Sequence, residues 1–333
     1  MIKLKKAYTR YRSAFYSYFW YKEESESLRR FGYKLRNFLA VFHDGKFDVY
    51  YQETVPREIE RVIAKNFQRP RLLEYLKRRI TEESKILQPY LAGQKKIGNP
   101  RTFRFFYDHA LKFWVAMTPF FFIDAPGVRQ EIKDQVLSIR LSNEHYSQNI
   151  DKIFQKYLKG YFRDKHYIFA TPKDVFSKAG RQKVLATLAE RQPGMFIYDG
   201  EIHRLEELDR FLSKKRISLG REKLGGGQAI KGLATFDFGT VSGTVKVIKN
   251  ISDFKNFSAG QVLVTEMTSP NFLPLMKKAR AIITDEGGLT CHAAIVSREL
   301  KIPCIIGVRI ATQALQDGER VEMKSGNGII KIL

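Results

Sequence analysis

The stretch from Ala281 to Val308, AIITDEGGLTCHAAIVSRELKIPCIIGV, leaves the chain few ways to fold. Ala281 to Thr284 has the length and β-branched content of a buried strand, and the two glycines that follow demand a turn. His292 then opens a short run of small and apolar residues that reads as a helix. Pro303 ends that run, and Cys304 to Ile306 reads as a second buried strand. Strand, glycine turn, helix and strand in so short a span define an α/β unit.

The same stretch carries chemistry. Gly287 and Gly288 lack Cβ atoms, so they accept positive φ and let backbone N–H groups face whatever lies against the loop. A helix N-terminus adds N–H groups and a partial positive charge, which suits an anion such as phosphate. Cys291 and Ala293 flank the histidine and complete, with the glycines, the expected phosphate cradle. An imidazole of ordinary pKa, about 6.5, is largely uncharged and nucleophilic near neutrality, so His292 can take a phosphoryl group. A histidine at this place also fits a plain cap or surface residue. Thr290 has a hydroxyl that can bond the ring or a phosphate, or cap the helix. Asp285, Glu286, Cys291 and His292 lack metal-ligand spacing, so no metal site is expected.

GGLTCHAAIVSREL followed by KIPCIIGV resembles the signature of the PEP-utilising enzyme mobile domain. This is the swivelling phosphohistidine domain of phosphoenolpyruvate synthase, pyruvate phosphate dikinase and rifampicin phosphotransferase. KGLATFDFGTVSGTVKVI resembles the opening of that domain, GQVLVTEMTSPNFLPLMKKARAIITDEGG its centre and DGERVEMKSGNGIIKIL its closing strands. The resemblance implies stacked sheets with helices, transient phosphorylation of His292, and a place beside the histidine for Thr268, Ser269 and Asn271. Asn271 departs from the family, where Asp is common. Arg298 falls about 240° around a helix from His292, so a contact with a partner surface is expected of it.

Charge and aromatic content divide the chain unevenly. Residues 1–225 hold 45 Lys and Arg against 26 Asp and Glu, and all but five of the 43 aromatic residues. Such a half fits RNA or single-stranded nucleic acid. It fits better a helical domain with rings inside and cations outside, and a positive surface can also dock an acidic partner or gather a nucleotide or phosphorylated substrate. Two cysteines make no disulfide framework, which points to a reducing cytoplasm. No secretory signal is visible, and the apolar run from Phe113 to Ile123, broken by Pro119, is too short to span a membrane.

Apolar stripes at three- and four-residue spacing predict helices over most of residues 8–161, with Tyr8, Tyr11, Phe15 and Phe19 on one and Leu28, Phe31, Leu35, Phe38 and Phe42 on another. Phe47 to Tyr51 reads as an extended piece after an Asp44-Gly45 turn. A helix from Thr54 is ended by Pro70, a single long helix follows Pro126, and His166 to Ala170 reads as a strand. Asp199-Gly200 reads as a hairpin turn between Met195–Tyr198 and Glu201–Arg204. The expected organisation is therefore a basic, aromatic-rich, mostly helical domain over 1–215, a flexible linker over 216–229 containing Gly225, Gly226 and Gly227, and a phosphohistidine domain over 230–333. About 15 flexible residues would span roughly 20 Å, enough for a pivot.

No glycine-rich nucleotide loop is visible in residues 1–225. The resemblance then implies a phosphotransferase component that works with a separate ATP-binding, ATP-grasp-like protein, which would supply ATP and Mg2+ and load His292. A small-molecule acceptor such as pyruvate would receive the phosphoryl group. The alternative is a nucleic-acid-binding or regulatory protein whose swivelling domain is not catalytic.

Overall fold

A computed structural model describes residues 1–10, 13–43, 46–122, 127–143, 145–220, 230–249, 251–289 and 291–333. The chain divides into two units, Met1–Ala7 with Arg12–Gly220 and Tyr8–Tyr11 with Arg221–Leu333. Asp44-Gly45, Pro126, the three glycines 225–227 and Thr290 lie outside the described residues.

Up to Gly220 the order is β1 (Ile2–Arg10), α1 (Ala14–Arg30), β2 (Leu39–His43), β3 (Lys46–Gln52), α2 (Val55–Phe67), α3 (Pro70–Leu91), α4 (Pro100–Met117), α5 (Gln130–Asn143), α6 (His145–Phe162), α7 (Pro172–Val175), α8 (Arg181–Glu190), β4 (Met195–Tyr198), β5 (Glu201–Arg204), α9 (Leu208–Lys215) and β6 (Ile217–Gly220). The strands form a six-stranded sheet in the order β5-β4-β2-β3-β1-β6. Helices are plentiful, as the stripes predict, but this sheet departs from the expected mostly helical domain. Tyr8 does not share a helix with Phe15: Ile2-Lys3-Leu4-Lys5 alternates in the manner of a strand, and α1 begins only at Ala14, capped by Ser13. Nor do Leu28 and Phe42 share one. Gly32, at φ +84°, turns the chain out of α1, so Phe38 and Phe42 flank and enter β2.

Three further boundaries moved. Pro70 starts α3 rather than ending α2, because proline suits the first helical turn. The long helix expected after Pro126 is two, α5 and α6. Lys165–Phe169 is a 3-10 helix, not a strand, since the Asp164 carboxylate accepts the His166 N–H and caps it. The hairpin matches its reading, with Asp199 and Gly200 both at positive φ as a tight two-residue turn requires. Of the expected linker, Ile217–Gly220 pairs in parallel with Ile2–Lys5 and is part of the sheet.

Aromatic rings fill the helical side of this unit. The fully buried Phe154 on α6 meets Phe15, Tyr16, Phe19, Phe103, Phe106 and Tyr107 at centroid distances of 4.8 to 6.4 Å. Among the described residues, no helix is long and apolar enough to cross a membrane.

From Ile230 onward come β7 (Ile230–Lys231), β8 (Leu233–Ala234), β9 (Thr240–Val247), β10 (Val262–Thr265), α10 (Leu273–Met276), β11 (Ala281–Thr284), α11 (His292–Glu299), β12 (Cys304–Ile306), α12 (Ala311–Ala314), β13 (Arg320–Lys324) and β14 (Ile329–Ile332). The expected stacked sheets are one hydrogen-bonded series, β7-β14-β13-β9-β10-β11-β12-β8. β9 pairs in parallel with β10 and antiparallel with β13, so a single strand joins two kinds of sheet. Alternation sorts the central strands into two cores. Val262, Val264, Ile283 and Ile305 pack with Val321, Met323 and Ile330, folding the sheet over its own face. Leu263, Ile282, Cys304 and Ile306 pack instead with α10 and with Ala293 and Ala294 of α11. Thus α11, and the histidine at its start, is held against the parallel strands.

Removing the Phe154 ring should cost about 3–5 kcal/mol. Urea unfolding of the Phe154→Ala chain, followed by near-ultraviolet circular dichroism, would show the loss; a change under about 1 kcal/mol would mean that the ring cluster does not hold the helices together.

Candidate functional site

Parallel pairing of β10 with β11, Thr265 opposite Thr284, makes the loops after both strands leave from one edge of the sheet. The pairing continues past the strand ends, where Asp285 N–H donates to Thr265 O at 3.1 Å and Glu286 N–H to Glu266 O at 2.8 Å. The loop after β12 joins them through Val308 N–H to Thr284 O at 3.0 Å and Arg309 N–H to Asp285 O at 2.8 Å. Three loops therefore converge at the start of α11.

His292 is the first residue of α11 and is half-buried. Its Nδ1 lies 2.9 Å from Oγ1 of Thr268, a buried residue of the loop after β10. That contact orients the imidazole from a neighbouring loop, and it joins two residues 24 apart in sequence. First-turn N–H groups have no carbonyl within their own helix to bond, so the ring stands at a positive helix end.

The other expected site residues fall into distinct places. Gly287 is at φ +121°, and a Cβ there would meet Cys291 Sγ at 2.7 Å, so the turn has room only for glycine. Gly288 has no positive φ and open space around it, and its contribution is a carbonyl accepting the Cys291 N–H at 2.9 Å. Cys291 is the half-buried N-cap residue of α11. The Ala293 side chain is turned into the core, leaving only its backbone to face a ligand. Ser269 precedes the 3-10 turn Pro270–Phe272; its Oγ is buried and has no hydrogen-bond partner among the described residues. Asn271 is exposed. Arg298 reaches back along its helix, donating from Nε to Ala294 O at 3.0 Å and from Nη2 to Leu289 O at 2.6 Å, and so ties the loop before the histidine to α11. Among the described residues, no group of three or more His, Cys, Asp and Glu could hold a metal ion.

Asp285 is a positioning residue that sequence reasoning missed. Its carboxylate is buried and accepts from Thr312 N–H at 3.1 Å and from the Thr312 hydroxyl, clamping the start of α12 to the loop that leads to His292. Burial pushes this carboxyl up to about 6, and the bonds from Thr312 and Ala311 only partly offset that. The acid directly after a buried strand was the available signal.

Residues 257–328, which include this histidine and both loops that hold it, match the model of one family, "PEP-utilising enzyme, mobile domain". Over 101 residues the chain is 48% identical to the probable phosphoenolpyruvate synthase of Methanothermobacter thermautotrophicus, covering 30% of this chain and 15% of that protein. It is 51% identical over 87 residues to the phosphoenolpyruvate synthase of Escherichia coli, covering 26% and 11%. With the probable phosphoenolpyruvate synthase of Staphylothermus marinus the likeness is 32% over 219 residues, 65% of this chain and 23% of that one. The chain thus spans less than a quarter of the length of these relatives.

Asp285 makes stability depend on pH in a defined direction. Its folded-state value, about 6, lies above the ordinary 3.8, so the folded chain holds the proton more tightly. The stability it lends is present below about pH 4 and is lost as pH rises to about 6, by about 3 kcal/mol at most. The difference in urea-unfolding free energy between the parent and Asp285→Asn chains should fall over that window and then level off. A difference that stays constant with pH would show a carboxyl titrating at its ordinary value.

Proposed function

We propose that the chain is a phosphotransferase component, acting in the cytoplasm, that carries a phosphoryl group on His292 between a separate ATP-binding protein and an acceptor. The observation that carries this reading is the 2.9 Å contact between Thr268 Oγ1 and His292 Nδ1 at the mouth of α11. A histidine that donates Nδ1–H to the threonine oxygen presents a lone pair on Nε2, the tautomer a nucleophile needs. In the loading step that lone pair forms an N–P bond while the P–O bond to the departing part of the nucleotide breaks. In the second step an acceptor oxygen takes the phosphorus and the N–P electrons return to the ring. Through both steps Thr268 holds the Nδ1 proton and the ring plane, while the α11 N-terminus favours the negative phosphoryl group.

The partner would be an ATP-grasp-like protein bringing ATP with Mg2+. The names of the relatives favour a small carboxylic acceptor such as pyruvate, in a reaction of the phosphoenolpyruvate synthase kind. A domain that carries phosphorus between two places must reach both.

Incubation with such a partner and ATP labelled in its phosphates should give an acid-labile, base-stable label on this chain that His292→Ala abolishes; a label that survives the substitution rejects the assignment. Thr268→Val should leave the fold intact and slow labelling about tenfold, the loss of one hydrogen bond of roughly 1–1.5 kcal/mol in the transition state. Unchanged labelling in that variant would remove the threonine from the mechanism.

A further inference from the structure

We propose that the first unit has a ligand site of its own, a cavity between the α3–α4 loop and α6 that binds a small molecule bearing a di- or triphosphate group. This inference does not rest on His292 carrying phosphate.

The cavity measures about 740 Å³, within the range of small-molecule sites. One wall is a face of α6. Ile153, Lys156, Tyr157, Gly160 and Tyr161 recur at three- and four-residue spacing and line the cavity, while Ile150, Phe154, Leu158 and Phe162 turn the other way into the core. Gly160 faces open space, since a Cβ there would meet nothing within 4 Å.

Charge gives the cavity its chemistry. Lys95 and Lys96 of the loop, Lys156, Arg163 and Arg181 all line it, and among the described residues no Asp or Glu does. None of these five cations is paired with a carboxylate among the described residues. Elsewhere in the unit pairing is common: Lys77 with Glu74, Arg79 with Glu83, Arg104 with Asp108 and Arg191 with Asp174. Two of the five have other contacts, Lys95 over the Tyr90 ring at 5.8 Å and Arg181 donating to the Phe162 carbonyl. Asn99 and Pro100, at the N-terminus of α4, also line the cavity, and the first turn of that helix holds no acid. The positive helix end therefore adds to the field of the side chains instead of being offset. An anion of several charges relieves this convergence, and neighbouring phosphates supply such charge compactly.

Aromatic packing shapes the same wall. The Tyr157 hydroxyl is buried and has no hydrogen-bond partner among the described residues. Its ring is stacked on Phe103 at 3.8 Å and on Tyr161 at 5.6 Å, which fixes it in place. Burial pushes its pKa up to about 12, so it remains a donor. The exposed Tyr161 ring offers a flat apolar surface at the end of the stack, which a base could cover if the phosphates belong to a nucleotide.

Isothermal titration calorimetry of the full chain with sodium tripolyphosphate and, separately, with ATP tests the site at low salt. Saturable binding of either is expected, at least about tenfold weaker in the Lys95→Glu/Lys96→Glu double variant. The double variant should leave the thermal melt unaltered, because both lysines lie on an exposed loop. Equal affinity for the two ligands would identify the phosphate chain as the whole determinant; tighter ATP, reduced by Tyr161→Ala, would identify a nucleotide. His292→Ala should bind like the parent. Absence of binding overturns the proposal. So does an equal loss in Lys278→Glu, a reversal in the second unit, or binding of a single-stranded RNA that tripolyphosphate does not displace.

Discussion

The parallel register of β10 and β11 is the constraint on which the histidine site depends. With Thr265 opposite Thr284, the loops after the two strands leave side by side, and a threonine from one reaches an imidazole in the other. Neither loop alone makes a site. Gly287 turns tightly because Cys291 occupies the space a Cβ would need, and Asp285 clamps the start of α12 beneath the same loop. Backbone pairing, a glycine turn and a buried carboxylate thus serve one purpose, a ring held at the end of a helix.

The two units solve the packing problem differently. In the second, β-branched residues alternate between two cores on either side of one continuous series of strands. In the first, large rings around Phe154 fill the space between helices, and a sheet closed by β1 and β6 covers another part. Burial of those rings accounts for much of the aromatic excess in residues 1–225. Its charge excess is not all accounted for by carboxylate pairing, and the cations that remain beside α6 are where ligand chemistry enters.

Several elements were legible because their signals are local. Val262–Thr265, Ala281–Thr284, Cys304–Ile306 and Ile329–Ile332 have the bounds that short apolar, β-branched runs predict, and Asp199-Gly200 needs only its own positive φ values to make a turn. Tyr8, near the end of the strand Ile2–Arg10, falls on a spacing with Tyr11, Phe15 and Phe19 that also suits a helix, and the strand's partner Ile217–Gly220 stands at the far end of the unit. The apolar residues from Leu28 to Phe42 keep one periodicity across Gly32, although the chain changes direction there. Periodicity records which side chains are apolar, not where the backbone turns.

The sequence alone therefore determined a short α/β unit around His292, the glycine turn before it and the family that this segment resembles, since all three depend on neighbours along the chain. Tertiary structure decided which side chain orients the imidazole, which carboxylate clamps its loop, and how loop lysines, a face of α6 and Arg181 come to line one cavity. Those contacts join residues far apart in sequence, and only strand register and helix packing bring them within hydrogen-bond or Coulomb range.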